Sequence, residues 1–255
     1  PNYWPIFLTP IFPKYYFTFT AMSKKKSSSS FWRKLKRFLF ILILANIAYI
    51  TFCKWVNPPI TTVMISSLLK GNGLHKEYLP FSEMGKNCKL AVICSEDQLF
   101  PDHNGFDMDA IKKAIKYNKD PKHKKVLGAS TISQQVAKNV FLWNGRNWFR
   151  KGLEVYHTFM IEWVWGKKRI LETYLNVAEM GKGIFGIQAA AQHYFDKDAK
   201  DLSKSEAAWI AAILPNPIVF SIKKPIPLIV RKHNWILKQM NNLEDDSETM
   251  KVIQD

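Results

Sequence analysis

The sequence predicts a mainly α-helical domain that follows one membrane-spanning helix. An uncharged apolar run, FLFILILANIAYITFC, occupies residues 38–53. Beyond it, apolar residues recur with helical spacing in segments that begin at capping residues and end at glycine or proline, and few segments alternate as strands do. The chain has 255 residues, of which 47% are hydrophobic, and this suffices for one domain core and an anchor.

The apolar run is predicted to be a retained anchor over residues 38–56. With Lys54 and Trp55 at its end, it approaches the ~20 residues that a bilayer requires. Basic residues precede it at Lys24, Lys25, Lys26, Arg33, Lys34, Lys36 and Arg37. The positive-inside rule therefore places residues 1–37 in the cytoplasm and the rest of the chain outside it. A cleaved signal peptide is the alternative, but no small-x-small cleavage site follows the run.

The two chain ends and the region between them differ in character. Residues 1–21 contain four prolines, and Met22 precedes a basic stretch typical of an anchored protein, so we expect residues 1–21 not to belong to the natural product. Residues 57–242 are predicted to form the helical domain. Residues 243–255 are predicted to be a polar tail that frays.

Charge and cysteine content narrow the possible partners. The formal net charge is +16, and no Asp or Glu precedes Glu77. Such a basic chain suits phosphate-rich partners: nucleic acid, anionic lipid or a phosphorylated substrate. Cys53, Cys88 and Cys94 form neither a disulfide framework nor a metal-ligand pattern, so we expect them to be small buried side chains.

Several helices of the domain can be placed from their ends. Thr131 and Gln134 have the spacing of a capping box, as do Ser203 and Glu206. Ile111 and Ile115 form an apolar helix face opposite lysines. One amphipathic stretch is predicted to end at Gly166 and another at Gly181. The helix that begins at Ser203 is predicted to end at Pro215.

An acidic pair, Glu96 and Asp97, follows directly on the apolar run LAVIC of residues 90–94. This is either an ordinary solvated helix end, or Glu96 is held half-buried to transfer protons. Phe100 and His103 follow within the same loop. No other residue stands at metal-ligand spacing from His103, so we expect it to support the loop.

Further polar residues have helical spacing. Arg150 and Glu154 are i, i+4 neighbours, which indicates either a surface ion pair worth ~0.3–0.5 kcal/mol or a cation and an acid directed into one cleft. Gln135, Lys138 and Asn139 share one helix face, either solvated or functional. The free N–H groups at the start of that helix, near Ser130, would favour an anion.

Five stretches together resemble the glycosyltransferase 51 family, which polymerises peptidoglycan strands from lipid II. They are EDQLFPDHNGFD, GASTISQQVAKN, RKGLEVY, RILETYLNVAEMG and SEAAWIAAILPNP, in the family's order, and the resemblance covers residues 69–240. It implies a lysozyme-like fold with a head lobe and a jaw lobe, and a monofunctional enzyme with one transmembrane helix. It also implies a bacterial inner-membrane enzyme whose domain is extracytoplasmic.

The resemblance also implies roles for individual residues. Glu96 would be the catalytic base and Glu154 the second acid of the cleft. Substrate binding would fall to Lys138, Arg150 and Lys151 at the diphosphate and to Gln135, Asn139 and Ser130 elsewhere in the cleft, while Asp97, His103 and Phe100 would support the site. Glu172 matches a motif position that we assign to structure.

The implied reaction joins lipid-linked disaccharides into β-1,4-linked strands, with inversion and release of undecaprenyl diphosphate. Glu96 could take the acceptor hydroxyl's proton from a partly apolar site, and a divalent cation, Mg or Mn, could assist at the diphosphate. Partners would be lipid II, the growing strand, the membrane and other cell-wall synthesis or division proteins, with no nucleic acid. The alternatives are a peptidoglycan-cleaving, lysozyme-like enzyme and a non-catalytic, membrane-tethered wall-binding module.

Overall fold

The computed structural model describes residues 28–123, 126–145 and 147–254. Its helices are α1 (Ser28–Phe52), α2 (Thr62–Leu69), α3 (Lys86–Glu96), α4 (Met108–Lys119), α5 (Ile132–Phe141), α6 (Trp148–Val164), α7 (Lys167–Val177), α8 (Ile187–Phe195), α9 (Lys204–Ile213), α10 (Pro227–Leu243) and α11 (Ser247–Ile253). Short 3-10 turns lie at Phe81–Glu83 and Ala199–Asp201, and the strands are β1 (His75–Lys76), β2 (Glu179–Gly181) and β3 (Ile184–Phe185).

The chain divides into two compact units between Ala45 and Asn46. In the first unit, the described residues belong to α1, and the side chains of residues 38–44 are exposed apolar groups. The segment Ser30–Phe52 of this helix has 23 residues and is long and apolar enough to cross a membrane. At ~1.5 Å per residue it measures about 35 Å, against ~30 Å for the hydrocarbon layer.

The second unit has one hydrophobic core built around α3. Every residue of α3 from Cys88 to Cys94 is buried, because this helix packs against both α9 and α10. In the same core, α5 packs against α6 and α7. Polar and charged side chains of α3, α5, α6, α7 and α10 and of the loops before α4 and α5 are held in place by this core.

The three short strands form one small sheet. Its order is β1-β3-β2, with β1 parallel to β3 and β2 antiparallel to it. Asn176 of α7 binds the segment after β1, since its side chain accepts from the Leu79 N–H and donates to the Leu79 carbonyl.

The prediction of a mainly α-helical, lysozyme-like domain that follows one apolar helix in the sequence is confirmed. Both predicted capping boxes form, at Thr131 with Gln134 and at Ser203 with Glu206. Gly166 separates two helices, as expected. The three cysteines are free and buried.

Three local predictions need correction. The helix expected to end at Gly181 ends at Val177, because the following residues pair as strand β2. On α4 the buried residue is Ala114, whereas Ile115 is half exposed. The tail expected to fray forms α11, since Asp246 caps it and Val252 and Ile253 are buried in the core.

Candidate active site

Glu96 is the last residue of α3, where the helix leaves the core. Its side chain is 11% exposed, and its carboxylate meets polar groups. The Gln135 Nε2 amide donates to Oε2 at 2.8 Å, and the Ser95 hydroxyl lies 3.0 Å from Oε1. The expected partly apolar setting comes from LAVIC only through Cys94, which lines the cavity of Glu96 together with Leu99 and Trp235, while all of LAVIC is buried.

Lys232 of α10 is a site residue that sequence reasoning missed. Its ammonium lies 3.5 Å from Glu96 Oε1. Burial lowers the pKa of Lys232, and the opposing attraction of Glu96 raises it in part. Lys232 is one of many basic residues in the chain, and only the packing of α10 against α3 brings it to the acid.

Tyr174 of α7 was also missed, although it lies inside one of the five motifs. Its hydroxyl donates to Gln135 Oε1 at 3.4 Å, and the same Gln135 amide donates to Glu96 through Nε2. Tyr174 is fully buried, and its pKa is raised well above the ordinary value by burial and then by the charge of Glu96. The relay fixes which end of the Gln135 amide faces the carboxylate.

The loop after Glu96 is tied to the start of α5. Asp97 accepts from the Ile132 backbone N–H at 3.0 Å and from His103 Nε2 at 2.9 Å, while His103 Nδ1 accepts from the Gly105 N–H at 3.1 Å. Both ring nitrogens of His103 therefore form hydrogen bonds within the loop. Phe100 is fully buried beneath this loop. That Asp97, His103 and Phe100 support the site stays a prediction.

Gly105 permits this loop to turn close to α6. Its φ is +87°, and a Cβ placed there would lie 2.7 Å from the Thr158 Cγ2 atom. Both the backbone conformation and the lack of space therefore require glycine at this position.

A second acid, Glu154, lies among cations on α6. Arg150 Nη1 is 2.6 Å from one carboxylate oxygen, and Lys151 Nζ is 2.5 Å from the other. Glu154 is 3% exposed and Arg150 8% exposed. The alternative of an ordinary surface ion pair is therefore wrong for Arg150 and Glu154, which are buried, while Lys151 is partly exposed.

Lys138 of α5 interacts electrostatically with both acids, Glu96 and Glu154. Burial lowers its pKa, while the charges of Glu154 and Glu96 raise it in part. Asn139, one residue on, is buried, and Ser130, just before the Thr131 cap, is exposed. The structure thus brings Gln135 to Glu96, and it places Lys138 in the field of both carboxylates.

Two cavities share the segment Gly128–Ser130. One, of about 390 Å³, is lined by Glu96, Asp97 and Trp235. The other, of about 630 Å³, is lined by Arg150, Lys151 and several apolar side chains. The acid that could accept a proton and the cations that could bind an anion therefore open on neighbouring cavities.

The residues around the site do not fit a protein-held divalent cation. Both carboxylate oxygens of Glu154 are paired with cationic side chains. No group of three or more His, Cys, Asp or Glu residues that could hold a metal is found in the described part of the chain. Hard cations require several oxygen ligands, and the paired Glu154 carboxylate does not supply them.

Comparisons with known proteins show the family of the chain. The family model described as Transglycosylase matches residues 62–241. The biosynthetic peptidoglycan transglycosylase of Haemophilus influenzae is 47% identical over 232 residues, which are 88% of this chain and 94% of the relative. That of Mannheimia succiniciproducens is 46% identical over 226 residues, 86% of this chain and 92% of the relative. That of Pseudomonas entomophila is 45% identical over 230 residues, 88% of this chain and 97% of the relative. The chain belongs to the transglycosylase family.

Proposed function

We propose that this chain is a peptidoglycan glycosyltransferase that joins lipid II units into β-1,4-linked glycan strands. One observation carries the proposal: a carboxylate held by an amide and a lysine opens on one cavity, and Arg150 and Lys151 line the neighbouring cavity. A base and an anion site are the two groups that glycosyl transfer from a lipid diphosphate requires. The relatives' names point to the same activity.

Glu96 acts as the general base. The acceptor's sugar 4-hydroxyl attacks the anomeric carbon of the donor, and its proton passes to the Glu96 carboxylate. Gln135 and Lys232 hold that carboxylate in place through contacts of 2.8 and 3.5 Å. Attack on the face opposite the leaving group converts an α-linked donor into a β-linked product, so the anomeric centre inverts.

The cations receive the leaving group. As the bond from the anomeric carbon to the phosphate oxygen breaks, its electron pair goes to the diphosphate, whose negative charge increases. Lys138, Arg150 and Lys151 would balance that charge. Glu154 positions two of these cations, since it binds Arg150 and Lys151 through separate oxygens. Asn139 and Ser130 are proposed to bind the sugar portions of the substrate.

The apolar helix serves as the membrane anchor. We place residues 1–37 in the cytoplasm and the domain outside the inner membrane, because basic residues precede the uncharged apolar run of residues 38–53. A tethered domain meets its lipid-linked substrates at a raised effective concentration. Exposed apolar side chains follow one another along α6 and suit the lipid interface: Trp148, Phe149, Val155, Tyr156, Phe159 and Trp163.

Product analysis tests the proposed reaction. The full chain in detergent would be incubated with lipid II, and in parallel with preformed glycan strands. We expect polymer from lipid II and no cleavage of the strands. Cleavage without polymer would replace the proposal with a peptidoglycan-cleaving enzyme. Binding to strands without either reaction would replace it with a wall-binding module.

A further inference from the structure

A nearly buried ion pair joins the end of α6 to the start of α7 and is not used by the mechanism above. Lys167 Nζ lies 2.7 Å from Glu162 Oε1, and the two side chains are 18% and 8% exposed. Withdrawing two charges from water can cost as much free energy as their attraction returns, so such a pair is weak evidence for stability. The other contacts of the two side chains therefore decide what the pair does.

Lys167 holds the loop that follows Glu96, residues 97–107. Its ammonium donates to the His103 backbone carbonyl at 2.5 Å and lies 4.5 Å from the centre of the Phe100 ring. Nε2 of the same histidine bonds at 2.9 Å to the acid that directly follows Glu96. Two hydrogen bonds thus connect Lys167 with the residue next to the proposed base.

Glu162 holds the same loop and the start of α5. Its Oε1 accepts from the Ser133 hydroxyl in the first turn of that helix. Its Cγ lies so close to Gly105 that a Cβ there would be 3.0 Å away. The Thr131 hydroxyl, which caps α5, donates to the Gly105 carbonyl at 2.7 Å. The loop is therefore fixed between α5 and the ion pair.

The segments that the pair holds form part of the cavity of Glu96. Residues 97–99, Asp107 and Thr131 line that cavity. Neither member of the pair is among the described residues that line it. The pair can therefore act on a reaction in this cavity only through the loop and the start of α5.

We propose that Lys167, paired with Glu162, is a positioning residue for the base. The pair keeps the loop in the conformation in which Glu96 faces the acceptor hydroxyl, and it does so without contacting the substrate. This assignment rests on the proposed function, because it takes Glu96 as the base of that reaction. It accounts for a charged pair at a place where two apolar side chains would often be as stable.

The test separates positioning from stability. Lys167→Met leaves Glu162 without its cation and the His103 carbonyl without this donor, so it should lower the Tm by about 6 °C or more. Lys167→Met/Glu162→Gln removes both charges and should regain most of that loss. Neither variant restores the donor to His103. We therefore expect kcat for lipid II polymerisation to fall at least about ten-fold in both, with KM changed by less than about two-fold.

Amide hydrogen exchange of residues 97–107 gives a readout that needs no substrate. The full chain in detergent would be compared with both variants, and exchange of this loop should be faster in each variant than in the wild type. Lys168→Met is the matched control, because it removes an exposed positive charge one residue further along α7. It should change neither the exchange nor kcat. Should Lys167→Met fail to fold, the double variant carries both measurements.

Three results would overturn the inference. A wild-type kcat in the double variant would reduce the pair to a structural role. A higher KM at unchanged kcat would place its effect on substrate binding. Unchanged exchange of the loop in the variants would show that the loop is held without Lys167. Absence of polymer from the wild type, with faster exchange in the variants, would instead count against the proposed function alone.

Discussion

The buried cation cluster on α6 predicts a strong asymmetry between two neighbouring substitutions. Glu154→Gln leaves the nearly buried Arg150 without its carboxylate, whereas Lys151→Met removes a cation whose side chain is 38% exposed. Breaking a buried ion pair by removing one partner costs ~3–5 kcal/mol, and an exposed pair contributes ~0–1 kcal/mol. We therefore expect Glu154→Gln to lower the free energy of unfolding by about 3 kcal/mol, and Lys151→Met by less than about 1 kcal/mol.

Thermal unfolding of the full chain in detergent measures the difference. For a domain of this size, ~1 kcal/mol corresponds to ~2–4 °C in Tm. Glu154→Gln should lower the Tm by about 6–12 °C, and Lys151→Met by at most about 4 °C. Arg150→Met combined with Glu154→Leu should cost less than the sum of the two single changes, because neither charge is then left unpaired. Equal Tm shifts for Glu154→Gln and Lys151→Met would refute the buried-cluster interpretation.

Three further predictions follow from single residues. Burial lowers the pKa of Lys138, and its charged form binds the diphosphate, so polymerisation should decline at a lower alkaline pH than an ordinary lysine would give. Lys138→Arg, which stays charged, should move that decline to higher pH. Gly105→Ala should destabilise the protein by about 2 kcal/mol through its positive φ and a steric clash, whereas Gly152→Ala, which meets no atom within 4 Å in α6, should stabilise it by about 0.5–1 kcal/mol. Tyr174→Phe should lower kcat about three- to ten-fold by freeing the Gln135 amide to turn, at a cost of ~1 kcal/mol, with KM little changed.

Each of these predictions has a contrary result. A pH–rate profile whose alkaline side is the same in wild type and Lys138→Arg would exclude the titration of Lys138 as its cause. Equal unfolding midpoints for Gly105→Ala and Gly152→Ala would show that the loop tolerates a side chain. A rise in KM without a change in kcat for Tyr174→Phe would assign that hydroxyl to substrate binding instead of to positioning.

Local chemistry accounts for what the sequence could predict about the fold. The capping boxes at Thr131 and Ser203 form because each needs only residues within one helical turn. The tail was mispredicted because its composition is polar, while its stability depends on burying Val252 and Ile253 against distant helices. Ile115 of α4 was mispredicted for a similar reason: helical periodicity does not distinguish an apolar face that packs into the core from one that lines an open cavity.

In the candidate site, too, local sequence predicts some residues, whereas other contacts depend on the packing of distant helices. Glu96 and Gln135 could be named from motifs, but their hydrogen bond joins residues 39 positions apart and depends on the packing of the domain. Lys232 carries no local signal, because it reaches Glu96 through the packing of α10 on α3. The spacing of Arg150 and Glu154 predicted their contact, whereas the burial that distinguishes a structural cluster from a surface pair appears only in the fold.

The most direct test of the account is the polymerisation of lipid II by Glu96→Gln. The amide keeps the size of the carboxylate and cannot accept the proton of the acceptor hydroxyl. Glu83→Gln, at an exposed acid on a 3-10 turn, is the matched control. A general base contributes ~10²–10⁴-fold, so we expect at least about a hundred-fold loss of kcat for Glu96→Gln and none for the control. Polymer formed by Glu96→Gln at the wild-type rate would contradict the assignment of Glu96 as the base.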